Sequence, residues 1–350
     1  MNILQTPVSP IETKIFDPRD PSTGVGGAEL LDASVVLRGG QWWMYLAGQA
    51  SGYGPTDLYS ASLPMGAPLS PFGWNLSRDA AGDLVPLAPR SLSSPWDGNG
   101  GRHCPSYVQG WDPDLGRSVE RIYYAGAADN LWGPYTIGFL EWDGQRWIDH
   151  SEPVFVATEE WERGSVYEPN LIYHDGKWKL WYVAGSNQEN YLVHGYAESE
   201  DGKSGWSDHQ VFAPAEMKMF DFCVRPHEDG FDAIFSRVWV GEGTPPSETG
   251  LWWCRSEHPS GDLSQWGRPH QIMTAADRGW HTGPWKPSFQ FHMDIDDRAY
   301  VFFDGAYRTS DPGPFPFAFT LGCLELDLPS RSNASDNAGC QTSKEAVNSK

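Results

Sequence analysis

The sequence predicts an all-β chain folded as a five-bladed β-propeller, and three observations carry that expectation. The composition is one: 38 Gly, 28 Pro, 18 Trp, 14 Tyr and 16 Phe in 350 residues are the stock of turns and pleated strands rather than of helices. A short opening recurs along the chain: an opening residue, then Pro or a small residue, then Ser or Asn, then two apolar residues. Each opening is followed by a turn, a second strand rich in aromatic and β-branched residues, and usually a third strand, which is the meander of one propeller blade.

Taken in order, the first unit reads DASVV (32–36), a turn at Arg38-Gly39-Gly40, QWWMYLAG (41–48) and DLYSASL (57–63). The second reads CPSYV (104–108), a turn ending at Gly116, ERIYYAG (120–126) and YTIGFLEW (135–142). In the third, EPNLI (168–172) meets Asp175-Gly176, the strongest short-range hairpin signal, before KWKLWYVAG (177–185) and VHGYAES (193–199). The fourth has the weaker opening CVRPH (223–227), a turn at Glu228-Asp229-Gly230, FDAIFSR (231–237) and GLWWCRS (250–256). The fifth runs KPSFQ (286–290), Asp296-Asp297, RAYVFFDG (298–305) and FTLGCLEL (319–326). The openings lie 72, 64, 55 and 63 residues apart, room for one four-stranded sheet and variable loops each. A β-sandwich or two unrelated β domains would suit the composition, but neither requires the same opening before every meander. We expect one propeller domain over 1–330 and a disordered tail over 331–350, whose RSNASDNAGCQTSKEAVNSK is polar, small and free of aromatics.

With 46 acidic against 25 basic residues the net charge is -21, which repels a phosphate backbone, so neither nucleic acid nor an anionic membrane is an expected partner. No apolar run approaches a bilayer span and no export signal is present, so a soluble, cytoplasmic protein is expected. The five cysteines (104, 223, 254, 323 and 340) form no CxxC pair, which points to neither a zinc ribbon nor a disulfide framework. The Gly-rich pieces TGVGG (23–27) and GNGG (98–101) precede no helix with a Lys and read as turns, not phosphate loops. The segment 66–100, long and poor in strand signal, is a candidate cover for the channel mouth.

The first strand of a blade lies innermost, so the opening residues should converge on one mouth of the central channel. By the motif these are Asp32, Cys104, Glu168, Cys223 and Lys286. Ionisable side chains where packing alone would call for Val, Ala or Ser point to chemistry.

DASVV (32–36) and the stretch EPNLIYHDGKWKLWY (168–182), continuing to HGYAESEDGKSGWS (194–207), resemble the blade openings of the five-bladed propeller glycoside hydrolases, the arabinanase and β-xylosidase group and their relatives. That resemblance implies a glycosidase acting on a small-molecule or oligosaccharide substrate, with Asp32 as general base and Glu168 as general acid. A carboxyl separation of about 6.5–9.5 Å would then give inversion and about 5–5.5 Å retention. Burial beneath Tyr167 and Trp161 would keep Glu168 protonated. The family has a second-blade Asp that tunes the acid where this chain has Cys104, preceded by His103; a thiol cannot act as a constant negative neighbour, which makes His103 a candidate for part of that function.

Arg225 and Lys286 are candidates to balance the acids or hold substrate, with a structural ion pair as the alternative. Trp96, Trp161, Trp280 and Trp285 could stack on a sugar ring or pack between blades. A metal cluster from His103, Cys104, Asp221, Cys223 and His281 lacks zinc-type spacing, so no metal and no cofactor are expected. The resemblance adds one exception, a hydrated calcium ion in the channel, for which His281 in GWHTGPWKPS is the nearest histidine. Three functions are open to such a chain: the glycosidase, a lyase or cyclase using His103, Glu168 and Lys286, and a catalytically silent carbohydrate-binding propeller.

Overall fold

A computed structural model of the chain describes residues 10–50, 55–69, 73–130, 132–186, 191–227, 230–237, 248–295, 297–307 and 318–329. The expected turn residues 228, 229 and 296 and the tail 331–350 lie outside them. Five four-stranded antiparallel sheets make up the fold, and the described residues form no α-helix. Blade one contains β2 (Glu29–Arg38), β3 (Gln41–Gln49), β4 (Asp57–Pro64) and β5 (Asn75–Leu76). Blade two is β6 (Gly101–Asp112), β7 (Arg117–Ala127), β8 (Tyr135–Trp142) and β9 (Trp147–Asp149), and blade three is β10 (Val166–His174), β11 (Lys177–Ser186), β12 (Tyr191–Ser199) and β13 (Gln210–Ala213). Blade four is β14 (Met219–His227), β15 (Gly230–Arg237), β16 (Gly250–Ser256) and β17 (His270–Thr274). Blade five comprises β18 (Gly283–Phe291), β19 (Arg298–Tyr307) and β20 (Ala318–Asp327), and its outer strand is β1 (Ile11–Phe16), which pairs with β20. The start of the chain thus closes the ring on its end and caps an edge that would otherwise be open to pairing.

Local chemistry explains the hairpins. Gly39 and Gly40 take φ of 58° and 74°, and Asp175 and Gly176 take 51° and 76°, the paired positive values of the type I′ turn that matches strand twist. The core lies between blades, where aromatic side chains of one second strand meet the sheet of the next. Trp178, Leu180 and Tyr182 pack on Tyr123 and Phe139 between blades two and three, and Trp181 and Tyr196 on Phe222, Phe235 and Trp266 between blades three and four. Each fully buried aromatic of this kind contributes roughly 1.5–3 kcal/mol.

The Ser or Asn of the opening motif also has a structural function. Ser34 Oγ accepts from Tyr107 N–H (3.0 Å), Ser106 Oγ from Leu171 N–H (3.1 Å), Asn170 Oδ1 from Val224 N–H (3.0 Å) and Ser288 Oγ from Val35 N–H (3.3 Å). Four of the five junctions between neighbouring inner strands are tied in this way, the exception being that of blades four and five. The described residues of 66–100 pack on both flanks of blade one: Leu69 and Trp74 join the core shared with Phe302 of blade five, while Trp96 stacks on Tyr124 of blade two at 5.3 Å and its indole donates to Ser151 O.

Candidate active site

In every blade the inner strand breaks register where the ring residue falls: between Leu31 and Ser34, His103 and Ser106, Tyr167 and Asn170, Phe220 and Phe222, and Trp285 and Ser288. These β-bulges hold Asp32, Cys104, Glu168, Asp221 and Lys286 at φ of 55°, 56°, 52°, 59° and 43°. Left-handed backbone costs a non-glycine residue about 1–2 kcal/mol, so one strained residue at the same place in five blades signals a demand other than packing. The bulge re-aims each side chain at the axis.

The fourth position corrects the expectation from sequence. Asp221, not Cys223, occupies the ring; Cys223 is the third residue of its motif, equivalent to Ser34, Ser106, Asn170 and Ser288, and lies further along the channel wall. The polar residue expected at that third place is a cysteine here, and this concealed the register.

The ring is a compact charge cluster. Single donor atoms of Asp32, Cys104 and Glu168 all lie within 4.8 Å of one another. Lys286 Nζ forms an ion pair with Glu168 Oε2 and lies 3.6 Å from Asp221 Oδ1. Backbone groups complete it: Cys104 N–H donates to Asp32 Oδ2 and Lys286 N–H to Asp221 Oδ2, both at 2.9 Å. Ser236 Oγ donates to Asp221 Oδ2 at 3.0 Å. All five ring residues are at most 9 % exposed.

Burial dominates the titration of these groups. It pushes Asp32 up, with the charge of Glu168 adding to it, and pushes Asp221 well up for the same two reasons. The Cys104 thiol rises well above its ordinary value through burial and then Asp32 and Glu168, which keeps it neutral at pH 7. Burial alone would lower Lys286, but Glu168, Cys104, Asp221 and Asp32 together hold it well above the ordinary lysine range.

An aromatic arc follows the ring. His103 and Tyr135 lie 5.7 Å apart, Tyr135 and Tyr167 5.1 Å, Tyr167 and Phe220 6.3 Å, Phe220 and Trp285 5.6 Å, and Trp285 and Phe319 6.0 Å. Four of its members, His103, Tyr167, Phe220 and Trp285, immediately precede a ring residue in sequence. On the other side a small pocket extends along the channel past Ser34, Asn170, Phe222, Ser288 and Arg225. Arg225 thus lines the channel, its Nη1 donating to Val224 O at 2.9 Å.

The structure brings Asp32, Cys104, Glu168 and Lys286 together, with Trp285 and His103 beside them. His103 is turned away from the acids, with Nε2 2.9 Å from Thr56 Oγ1 and 3.2 Å from Gly100 O, and burial lowers it to about 4. It is a neutral imidazole at pH 7. Trp161 stacks on Tyr182 in the core between blades two and three, so Tyr167 but not Trp161 lies beside Glu168. His281 is buried against Trp280 and Phe303 and pairs with Glu12 of β1 at 2.8 Å. Calcium takes six to eight oxygen ligands. Two carboxylates and a neutral thiol with an ammonium among them do not fit that ion, and His281 is committed to Glu12. Two acids were not placed at the ring by the sequence: Asp221, considered only as a metal ligand because the motif register hid its position, and Asp304, whose only signal is FDG in β19 where three other second strands end in Ala-Gly.

No family profile matches the chain, and no curated protein is significantly similar to it. Its fold does match solved structures. A family 117 glycoside hydrolase of the marine bacterium Zobellia galactanivorans superposes with a TM-score of 0.61 at 14% identity, covering 91% of this chain and 90% of that one. The α-L-arabinofuranosidase of Podospora anserina in complex with cellotriose gives 0.55 at 12% identity over 89% and 95%. A thermostable family-43 glycoside hydrolase gives 0.55 at 15% over 87% and 94%. The chain has the five-bladed propeller fold of these glycoside hydrolases.

Proposed function

We propose that the ring is an acid/base site acting on a small glycoside or oligosaccharide, with Asp32 and Glu168 as the reacting pair. The observation that carries this reading is the bulge repeated in five blades, which holds Asp32 and Glu168, 136 residues apart in sequence, with carboxylate oxygens within 4.8 Å. Two carboxylates converging on one channel mouth are the arrangement that glycoside hydrolysis uses. Asp32 would act as general base toward the attacking water and Glu168 would protonate the leaving oxygen. The acidic neighbour of Glu168 is not in blade two, where Cys104 is uncharged, but in blade four: Asp221 faces the same Lys286 ammonium as Glu168. The aromatic arc offers the flat apolar faces on which a sugar ring stacks.

The ion pair between Lys286 and Glu168 favours a second reading. A carboxylate held by an ammonium is suited to abstract a proton, with Lys286 steadying the resulting enolate, which is lyase chemistry; His103, neutral and facing Thr56, has no part in it. Reducing-sugar release from aryl furanosides and pyranosides, lost in both Asp32→Asn and Glu168→Gln, supports hydrolysis. An unsaturated product, detected by ultraviolet absorbance and surviving Asp32→Asn, supports the lyase instead. Saturable binding without either product would overturn both.

A further inference from the structure

We propose that Asp304 of β19 is a protonated carboxyl, and so leaves Asp32 the charged member of the two. The residue paired with the one before each ring position is Ala47, Ala125, Val183, Ser236 or Asp304. Three blades keep this place apolar, blade four uses its Ser to support Asp221, and blade five alone puts a carboxyl there.

Ring geometry explains why an acceptor is needed. The backbone N–H of Cys104 finds the carboxylate of Asp32, and that of Lys286 finds Asp221, each from the preceding blade. For Asp32 the preceding ring residue is Lys286, which has no acceptor. Asp304 takes over, with both carboxyl oxygens 3.0 Å from Asp32 N–H. An asparagine would meet that need equally well, so the backbone alone does not account for an acid.

Charge completes the argument. Among the described residues the carboxyl of Asp304 accepts only from Asp32 N–H, a single neutral donor for a group that would carry a full charge if ionised. Asp304 is 2 % exposed. Facing it are Asp32 and, further off, Asp221; Glu168 and Lys286 are engaged with each other, Cys104 is neutral, and His281, packed on Gly305, turns to Glu12. Without a cation of its own, a buried carboxyl beside an anion stays protonated. Burial and the charge of Asp32 push Asp304 well up, whereas Asp32 also has Lys286 and the Cys104 N–H to favour its anion. The proton therefore resides on Asp304 and Asp32 remains the carboxylate. Asp304 is a positioning residue, and its catalytic consequence rests on the reading of Asp32 given above.

The test is infrared difference spectroscopy of wild type minus Asp304→Asn at neutral pH, which requires no substrate. A protonated-carboxyl stretch present in wild type and missing from D304N is expected; an unchanged band overturns the proposal. Asp304→Ser, which keeps a hydroxyl acceptor for Asp32 N–H, gives the same readout should D304N fail to fold. With an aryl glycoside that the enzyme hydrolyses, loss of the Asp304 proton brings a second negative charge beside Asp32 and contributes to the alkaline limb of kcat/KM, so that limb should move up by about one pH unit or more in D304N. A uniform loss at every pH would mean a merely structural role. Because the infrared band is independent of turnover, failure of the proton assignment and failure of the glycosidase reading are separable.

Discussion

Replacing Lys286 by Met removes the ammonium that faces Glu168 and Asp221 and leaves a methylene stem of similar volume. Lys286 Nζ forms an ion pair with Glu168 Oε2, and at an effective dielectric of about 20 two unit charges about 4 Å apart already attract by about 4 kcal/mol. Removing one partner of a buried pair typically costs about 3–5 kcal/mol, because the other charge is left uncompensated. That penalty is electrostatic, so it carries a pH signature. At pH 8 the orphaned carboxylates must either stay charged or take up protons against the bulk, whereas at pH 5 they are readily neutralised. Urea unfolding of wild type and K286M at both pH values should show a loss of about 3–5 kcal/mol at pH 8 and less than half of it at pH 5. Equal losses at both pH values would mean that Lys286 contributes packing rather than charge, and the electrostatic account of the ring would be wrong.

His194 in β12 is fully buried and its ring is lowered to about 3, first by burial and then by Lys286. The unfolded chain binds its proton near pH 6.5, so the stability tied to the neutral ring is complete above that value and is lost as pH falls toward 3. The loss by pH 5 is about 2 kcal/mol, and wild type should fall relative to His194→Gln by that amount between pH 7 and 5; parallel curves in the two proteins would refute it. Trp285→Ala opens the aromatic arc beside Lys286 and should raise KM for an oligosaccharide about tenfold with little change in kcat, and an effect on kcat alone would argue against a stacking subsite. In Gly138→Ala the new Cβ would meet the Trp96 ring at 2.2 Å, and thermal melting should show a loss of about 1–3 kcal/mol from overpacking.

How much was legible differs between fold and site. The blade count was readable because each meander repeats a local pattern, Asp-Gly or Gly-Gly turns and alternating apolar residues, that acts within about ten residues of chain. Asp32, Cys104, Glu168 and Lys286 were readable because a proline or small residue followed by Ser or Asn marks the bulge. Asp221 was not, because Phe222 and Cys223 replace those markers while the backbone still bulges. Trp161 and His281 were misplaced for a related reason: both are near ring residues or channel candidates in sequence, yet one is drawn into the core by Tyr182 and the other toward the closing strand by Glu12. The use of β1 as the outer strand of blade five had no local signal, since it depends on the two ends of the chain meeting.

From its sequence alone this protein was determined to be a ring of five β meanders that points a set of ionisable side chains at one axis, because turn chemistry, strand periodicity and the opening motif are all local. Only the tertiary structure decided the protonation logic of the site: which carboxyl faces the ammonium of Lys286, which imidazole turns aside to Thr56, and that Asp304 backs Asp32 from a neighbouring blade. Those outcomes depend on burial and on charge separations of a few ångströms between residues as many as 272 apart in the chain, distances that no local pattern encodes.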